Sequence, residues 1–411
     1  MQVIQWQKGL AQKLSHDQDI QSSRELYKKV DRILWEVRLR GDSAIRRFTK
    51  EFDRIDLPLK RLRVTEGDIN RAFENVSYSF VPLLKQVTDN VQKFYESELI
   101  QSFEIKNDGA TLAKRYLPLS RVGIYIPGGT APLVSTVYMT VIPAKIAGVK
   151  EIVIATPPNK DTGEIDPHIL VVANLLGVKE IYRMGGAQAI GALAFGTKTI
   201  PKVDKIVGPG NQYVAEAKRQ VFGHVDIDMV AGPSEVAIIA SGEANEDYVT
   251  CDLLAQAEHF GGTSFLVTNS KKLADAIRKR VDSGYIFLVK NMNEACDAVN
   301  EIAPEHLEIL AEDSDKILKK IENAGAIFMG PYTPAVLGDY IAGPSHVLPT
   351  GGTARFFSPL SASTFVKSNQ IITYSKEALE KTREHIRKIT ELEGLVLHRV
   401  SLESRFVNDK K

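Results

Sequence analysis

The chain has 411 residues, enough for two or more domains with well-buried cores. Lys and Arg number 52 against 51 Asp and Glu, and this net charge of +1 argues against a polyanionic partner such as nucleic acid. The apolar fraction of 44% is that of an ordinary soluble protein, and neither a secretory signal nor a membrane span is expected. The most apolar long window, 131–149, is interrupted by Pro132, Pro143 and Lys145 and reads as buried core. Cys251 and Cys296 lack metal-type spacing, and a reducing cytoplasm suits them.

The first hundred residues read as helical. Ser22 and Ser23 are placed to cap a helix whose Leu26, Val30, Ile33, Leu34 and Val37 fall on one stripe, with Gly41 as its stop. Thr65 and Asp68 have the spacing of a capping box. From about Val122, short apolar runs alternate with helical stretches. The runs 122–126, 151–155, 180–184 and 204–207 form a first set of strands, and 236–240, 264–268, 285–289 and 326–329 a second. Helices are expected at 134–147, 167–176, 187–195, 212–220, 246–259, 271–281, 292–300 and 314–323. Such alternation predicts an α/β fold with two doubly wound Rossmann-like lobes built on parallel sheets. The boundaries drawn are 1–117 for a helical N-terminal region, 118–234 and 235–355 for the lobes, and 356–411 for a C-terminal arm with a helix at 376–392.

Gly-Pro pairs at 208, 232 and 330 are read as closing strands, and a fourth begins at 343. Gly-Gly pairs begin at 128, 185, 261 and 351. In open α/β sheets such loops gather beyond the carboxyl ends of strands, where ligands bind. No G-x-G-x-x-G follows the first strand; Tyr125 to Gly129, Gly185 to Gln188 and Gly208 to Asn211 follow strands instead, and their glycines can leave backbone N–H groups open to an anion.

Four other places could carry chemistry. Glu305-His306 follows Pro304 and reads either as a solvated helix start or as two proton carriers at one pocket. Gln256 and His259, three apart near a helix end, share a face and could touch one ion, or His259 could simply cap the helix. Asp339 and His346 lie in a turn-rich stretch where functional side chains concentrate, or serve only as a turn cap and a surface imidazole. Glu393 and His398 flank Gly394 and read as surface residues by themselves.

Together these segments resemble the histidinol dehydrogenase family over nearly the whole chain, from Val37 to Ser401. The most specific stretches are Gln256-Ala257-Glu258-His259, Ala303-Pro304-Glu305-His306-Leu307-Glu308 and the run Gly343 to Thr350. The chain is somewhat shorter than typical members, and the motifs are intact. The resemblance implies oxidation of L-histidinol to L-histidine through L-histidinaldehyde by two hydride transfers to NAD, the last step of histidine biosynthesis. It also implies one zinc per site and a cytoplasmic homodimer with intertwined subunits. By the family pattern Gln256, His259, Asp339 and His398 match the zinc ligands, with His398 coming from the partner subunit. Glu305 and His306 match the catalytic pair. Ser234, His346 and Glu393 match substrate contacts, and Tyr125, Gln188 and Asn211 match the NAD site. Two other readings fit a two-lobed α/β chain: a solute- or metal-binding protein, and a zinc hydrolase that needs no NAD.

Overall fold

A computed structural model describes residues 1–15, 20–128, 132–258 and 261–407. The chain divides into two units, one comprising 1–99 and 119–365, the other 100–118 and 366–411.

The larger unit contains two parallel sheets. The first has the order Glu180–Arg183, Glu151–Thr156, Arg121–Tyr125, Lys205–Val207, Asp226–Ile227. Its order reverses between Arg121–Tyr125 and Lys205–Val207, the kind of switch point where a crevice opens. The second has the order Gln2–Gln5, Tyr285–Leu288, Thr263–Thr268, Glu235–Ala240, His306–Leu310, Ala326–Met329. All eight expected strands are present, at the expected places to within a residue or two. The apolar runs of the central strands Arg121–Tyr125, Glu235–Ala240 and Thr263–Thr268 are buried on both faces, as parallel strands under helices require.

Four local readings are corrected. The stretch after Pro304 is not a helix start: His306–Leu310 is an interior strand, paired with Glu235–Ala240 and Ala326–Met329. The N-terminal region is not wholly helical, because Gln2–Gln5 adds an edge strand beside Tyr285–Leu288. Gly232-Pro233 does not close a strand; it precedes Glu235–Ala240. The helix Ile20–Arg40 begins before Ser22 and Ser23, so the start expected at them lies inside it. Its stripe of Val30, Ile33, Leu34 and Val37 packs into the core with Ala189, Ile190 and Leu193. Thr65 and Asp68 form the expected capping box, with reciprocal bonds of 2.8 and 3.2 Å.

The smaller unit holds an antiparallel sheet of Val366–Tyr374, Ala110–Pro118 and Phe103–Asn107, followed by helices Lys376–Leu392 and Val396–Glu403. Asp108 and Gly109, with φ of 43° and 81°, make the hairpin turn between its first two strands. The expected helix at 376–392 is there, and the extended segment before it is a nine-residue strand.

Candidate active site

In the second sheet the chemistry collects at the amino ends of the strands, not beyond their carboxyl ends. Glu305 and His306 stand at the start of His306–Leu310, and Ser234 and Glu235 at the start of Glu235–Ala240, where Val236 registers with His306. Helix Glu246–Gln256 runs back against the strands, so its last residue reaches the level of their starts. Gln256 Nε2 there donates to Ser234 Oγ at 2.9 Å. The carboxyl end of a helix carries partial negative charge, which favours a cation at this edge. On the other side, the helical turn Val336–Tyr340 supplies Asp339, whose Oδ1 is 3.5 Å from His306 Nε2. His306 Nδ1 is 3.8 Å from Glu305 Oε2.

Backbone conformation fixes the pair. Helix Met292–Ile302 ends on Ala303, a non-glycine residue with φ of 51°, which turns the chain sharply into Pro304. Gly325 and Ala326 donate to the carbonyls of Pro304 and Glu305 at 2.9 and 2.8 Å, and a Cβ on Gly325 would approach the Glu305 carbonyl oxygen to 2.6 Å. Only glycine permits that approach.

Both members of the pair are buried. Burial opposes a charge on His306, but contact with Asp339 and the charges of Glu305, Asp339 and Glu308 outweigh it and raise the imidazole pKa. Glu235 is pushed up to about 8, first by burial and then by the charge of Glu305, although the backbone N–H groups of Glu305 and Gly351 pull the other way. A raised carboxyl binds its proton more tightly folded than unfolded. Its stabilising contribution is therefore complete below the unfolded value of 4.5 and lost as pH rises through about 8. Glu235→Gln is expected to unfold at a higher temperature than the parent at pH 8.5, with the gap closing toward pH 5. Calorimetry at both pH values checks this, and an equal gap at both would count against it.

The first sheet opens on a cavity of about 880 Å³ beyond its carboxyl ends, lined by Tyr125, Thr156, Gln188 and Asn211 among others. The Tyr125 hydroxyl accepts the Gly186 N–H at 3.1 Å, and burial pushes its pKa up to about 12. Gln188 is buried, and neither atom of its amide has a hydrogen-bond partner among the described residues. An unsatisfied buried amide facing a cavity calls for a polar ligand. Asn211 caps helix Gln212–Val221 by accepting from Tyr213 and Val214 at 3.0 and 3.2 Å. Its loop is held by Lys218, whose Nζ donates to the Gly208 carbonyl at 2.9 Å and pairs with Asp228. Gly208 has φ of 114°, and a Cβ there would lie 2.1 Å from the Tyr125 carbonyl oxygen. This cavity opens at the strands' carboxyl ends, where the expected loops gather.

The structure thus brings together Glu305, His306 and Asp339, Ser234 with Gln256, and the three cavity residues. His346 is half-buried in the loop anchored by Tyr95, whose hydroxyl accepts the Ser345 N–H at 2.7 Å. Glu393 and His398 lie exposed on the smaller unit. His259 and Gly129 lie outside the described residues. Among the described residues, no three His, Cys, Asp or Glu side chains form a metal cage. Sequence reasoning missed Asp252, Glu235 and Glu308 in the second sheet's layer, and Asp53 at the cavity, where burial raises its pKa to about 6 against the pull of Lys160. A carboxylate inside an apolar strand was the available signal for Glu235 and Glu308.

The two α/β layers, one opening on a cavity and one carrying the buried pair Glu305 and His306, place the chain in the class of α/β enzymes. The family model described as histidinol dehydrogenase matches residues 16–406. The histidinol dehydrogenase of Bacillus cereus is 46% identical over 403 residues, covering 93% of both chains. That of Caldanaerobacter subterraneus subsp. tengcongensis is 46% identical over 98% of this chain and 97% of its own. A crystal structure of histidinol dehydrogenase from Elizabethkingia anophelis superposes with a TM-score of 0.90 at 34% identity, covering 99% of this chain and 98% of that one. The chain belongs to the histidinol dehydrogenase family and is an oxidoreductase of amino-acid biosynthesis. Among the described residues no helix is long and apolar enough to cross a membrane.

Proposed function

We propose that the chain oxidises L-histidinol to L-histidine through L-histidinaldehyde, as a cytoplasmic homodimer using one zinc per site and NAD. The observation that carries this is His306, buried between Glu305 at 3.8 Å and Asp339 at 3.5 Å. In this reading residues of 118–234 hold NAD and residues of 235–355 hold zinc, while the arm 356–411 serves the partner's site. The partnerless amide of Gln188 in the first cavity suits a polar ligand of nucleotide size. An amide oxygen from Gln256, a carboxylate from Asp339 and imidazoles from His259 and the partner subunit's His398 make a nitrogen and oxygen set suited to zinc. When bound, an NAD would accept one hydride in each of the two oxidations, and zinc would fix the substrate.

The chain's own residues move the protons. His306, with a raised pKa and buried from bulk water, takes the alcohol proton in the first oxidation. Glu305 takes a proton from the water that adds to the aldehyde. His306 returns its proton to the aldehyde oxygen as the water adds, and then serves again, taking the hydroxyl proton of the hydrate. Glu235, kept neutral by burial, adds no second negative charge beside Glu305 at neutral pH. Ser234 and His346 contact the substrate, and Glu393 of the second copy pairs with its ammonium. Exposed Leu392, Leu397 and Val400 on the smaller unit offer apolar surface for that second copy to cover.

Absorbance from NADH, followed with L-histidinol and with or without chelator, tests the reading. Two NADH per L-histidine are expected, with activity lost on zinc removal and restored by zinc. Binding without turnover would indicate a solute-binding protein. Turnover without NAD would indicate a hydrolase.

A further inference from the structure

Glu308 has no part in these proton transfers, yet it is 1% exposed in the middle of an interior strand. It lies two residues beyond His306, so both side chains leave the strand on one face. Leu310, next on that face, packs with Val236 and Ile238 and with Val249 and Leu253 of helix Glu246–Gln256. From this helix, one turn before Gln256, Asp252 comes alongside Glu308. Burial raises both carboxyls, and each has the other as a hydrogen-bonding neighbour. From the opposite side, the Ala335 N–H donates to Glu308 Oε1 at 2.7 Å. Ala335 is the residue on which the turn Val336–Tyr340 begins, the turn that bears Asp339. That turn rests on Phe328, so closely that a Cβ on Gly338 would meet the ring at 2.8 Å. The ring in turn stands 5.8 Å from His306 between centroids.

We propose that Glu308 is a positioning residue for the metal: its carboxyl ties the helix of Gln256 and the turn of Asp339 to the strand of His306, and so sets the spacing of the two ligands. The inference rests on the reading of Gln256 and Asp339 as zinc ligands. The tie needs one group that accepts from Ala335 and hydrogen-bonds with Asp252. An amide in place of the carboxyl does both. A thioether of similar length does neither and leaves the Ala335 N–H buried without a partner. Groups that orient metal ligands from behind typically contribute about 10–100-fold in metal affinity.

The test is zinc affinity of the full-length protein, measured by competition with a chromogenic chelator. Glu308→Gln is expected to keep the parent affinity. Glu308→Met is expected to lose about 10–100-fold, with circular dichroism matching the parent. If Glu308→Met does not fold, Asp252→Ala decides: it cuts only the tie to the helix and is expected to lose about tenfold or more. A parent that binds zinc, with Glu308→Met or Asp252→Ala binding it equally well, overturns the inference alone. Loss of affinity in Glu308→Gln as large as in Glu308→Met also overturns it. A parent that binds no zinc overturns the ligand reading and this inference with it.

Discussion

Replacing His306 by asparagine is expected to lower turnover by about 10²–10⁴-fold while zinc stays bound. The asparagine amide keeps part of the imidazole's shape and polarity but cannot accept a proton at neutral pH. His306 is the group invoked in both oxidations, so the loss appears in kcat for L-histidinol and also for L-histidinaldehyde supplied directly. A variant of Glu305, by contrast, is expected to spare the first oxidation and slow the second, because its proton comes from the water that adds between them. NADH formation in a single turnover, with zinc content measured on the same sample, separates these cases. A His306→Asn enzyme with parental kcat would falsify the assignment.

The second large effect concerns the arm. If the site takes His259 from one subunit and His398 from the other, His259→Ala and His398→Ala should each abolish most activity as homodimers. A heterodimer of the two then contains one site with both imidazoles and one with neither. Random subunit exchange makes half of the dimers mixed, so about a quarter of the parental activity should return. Recovery is read after exchange has been confirmed by mass-tagged subunits. Confirmed exchange with no recovery sinks the cross-subunit reading.

The sequence made most of the fold legible through one physical signal. Eight buried parallel strands, separated by helices, wrote themselves as β-rich apolar runs. His306–Leu310 did not, because its face toward helix Glu246–Gln256 carries an imidazole and a carboxylate where an apolar residue is expected. That polar alternation is the same property that makes it a candidate site, so periodicity fails where polar groups replace packing. The edge strand Gln2–Gln5 was too short to register. The hairpin in 103–118 had usable signals in Asp108-Gly109 and in the alternation of Phe103 and Ile105 with Glu104 and Lys106, but its first strand is exposed and its second only half-buried, so neither reads as a core strand.

The candidate site was legible in pieces and not in its layout. Residue types named Gln256, Asp339, Glu305 and His306, and the family resemblance grouped them. That the second group gathers at the strand starts could not be read from spacing. It depends on helix Glu246–Gln256 running antiparallel to the strands and ending at Ser234.

The pairing of His306–Leu310 on both sides bears on redesign for other amino alcohols. His306 is locked in register between Val236 and Ala326. A shift of even one residue would turn its side chain to the opposite face. On the proposed reading, substrate range is therefore better altered at Pro344 and His346, the positions of the 343–350 loop that are not buried; the rest of the loop is held by Thr350 to Gly232, Ser345 to Tyr95 and Val347 to Leu360. Libraries that vary those two positions keep the proposed base in place, whereas libraries that vary the strand lose it first.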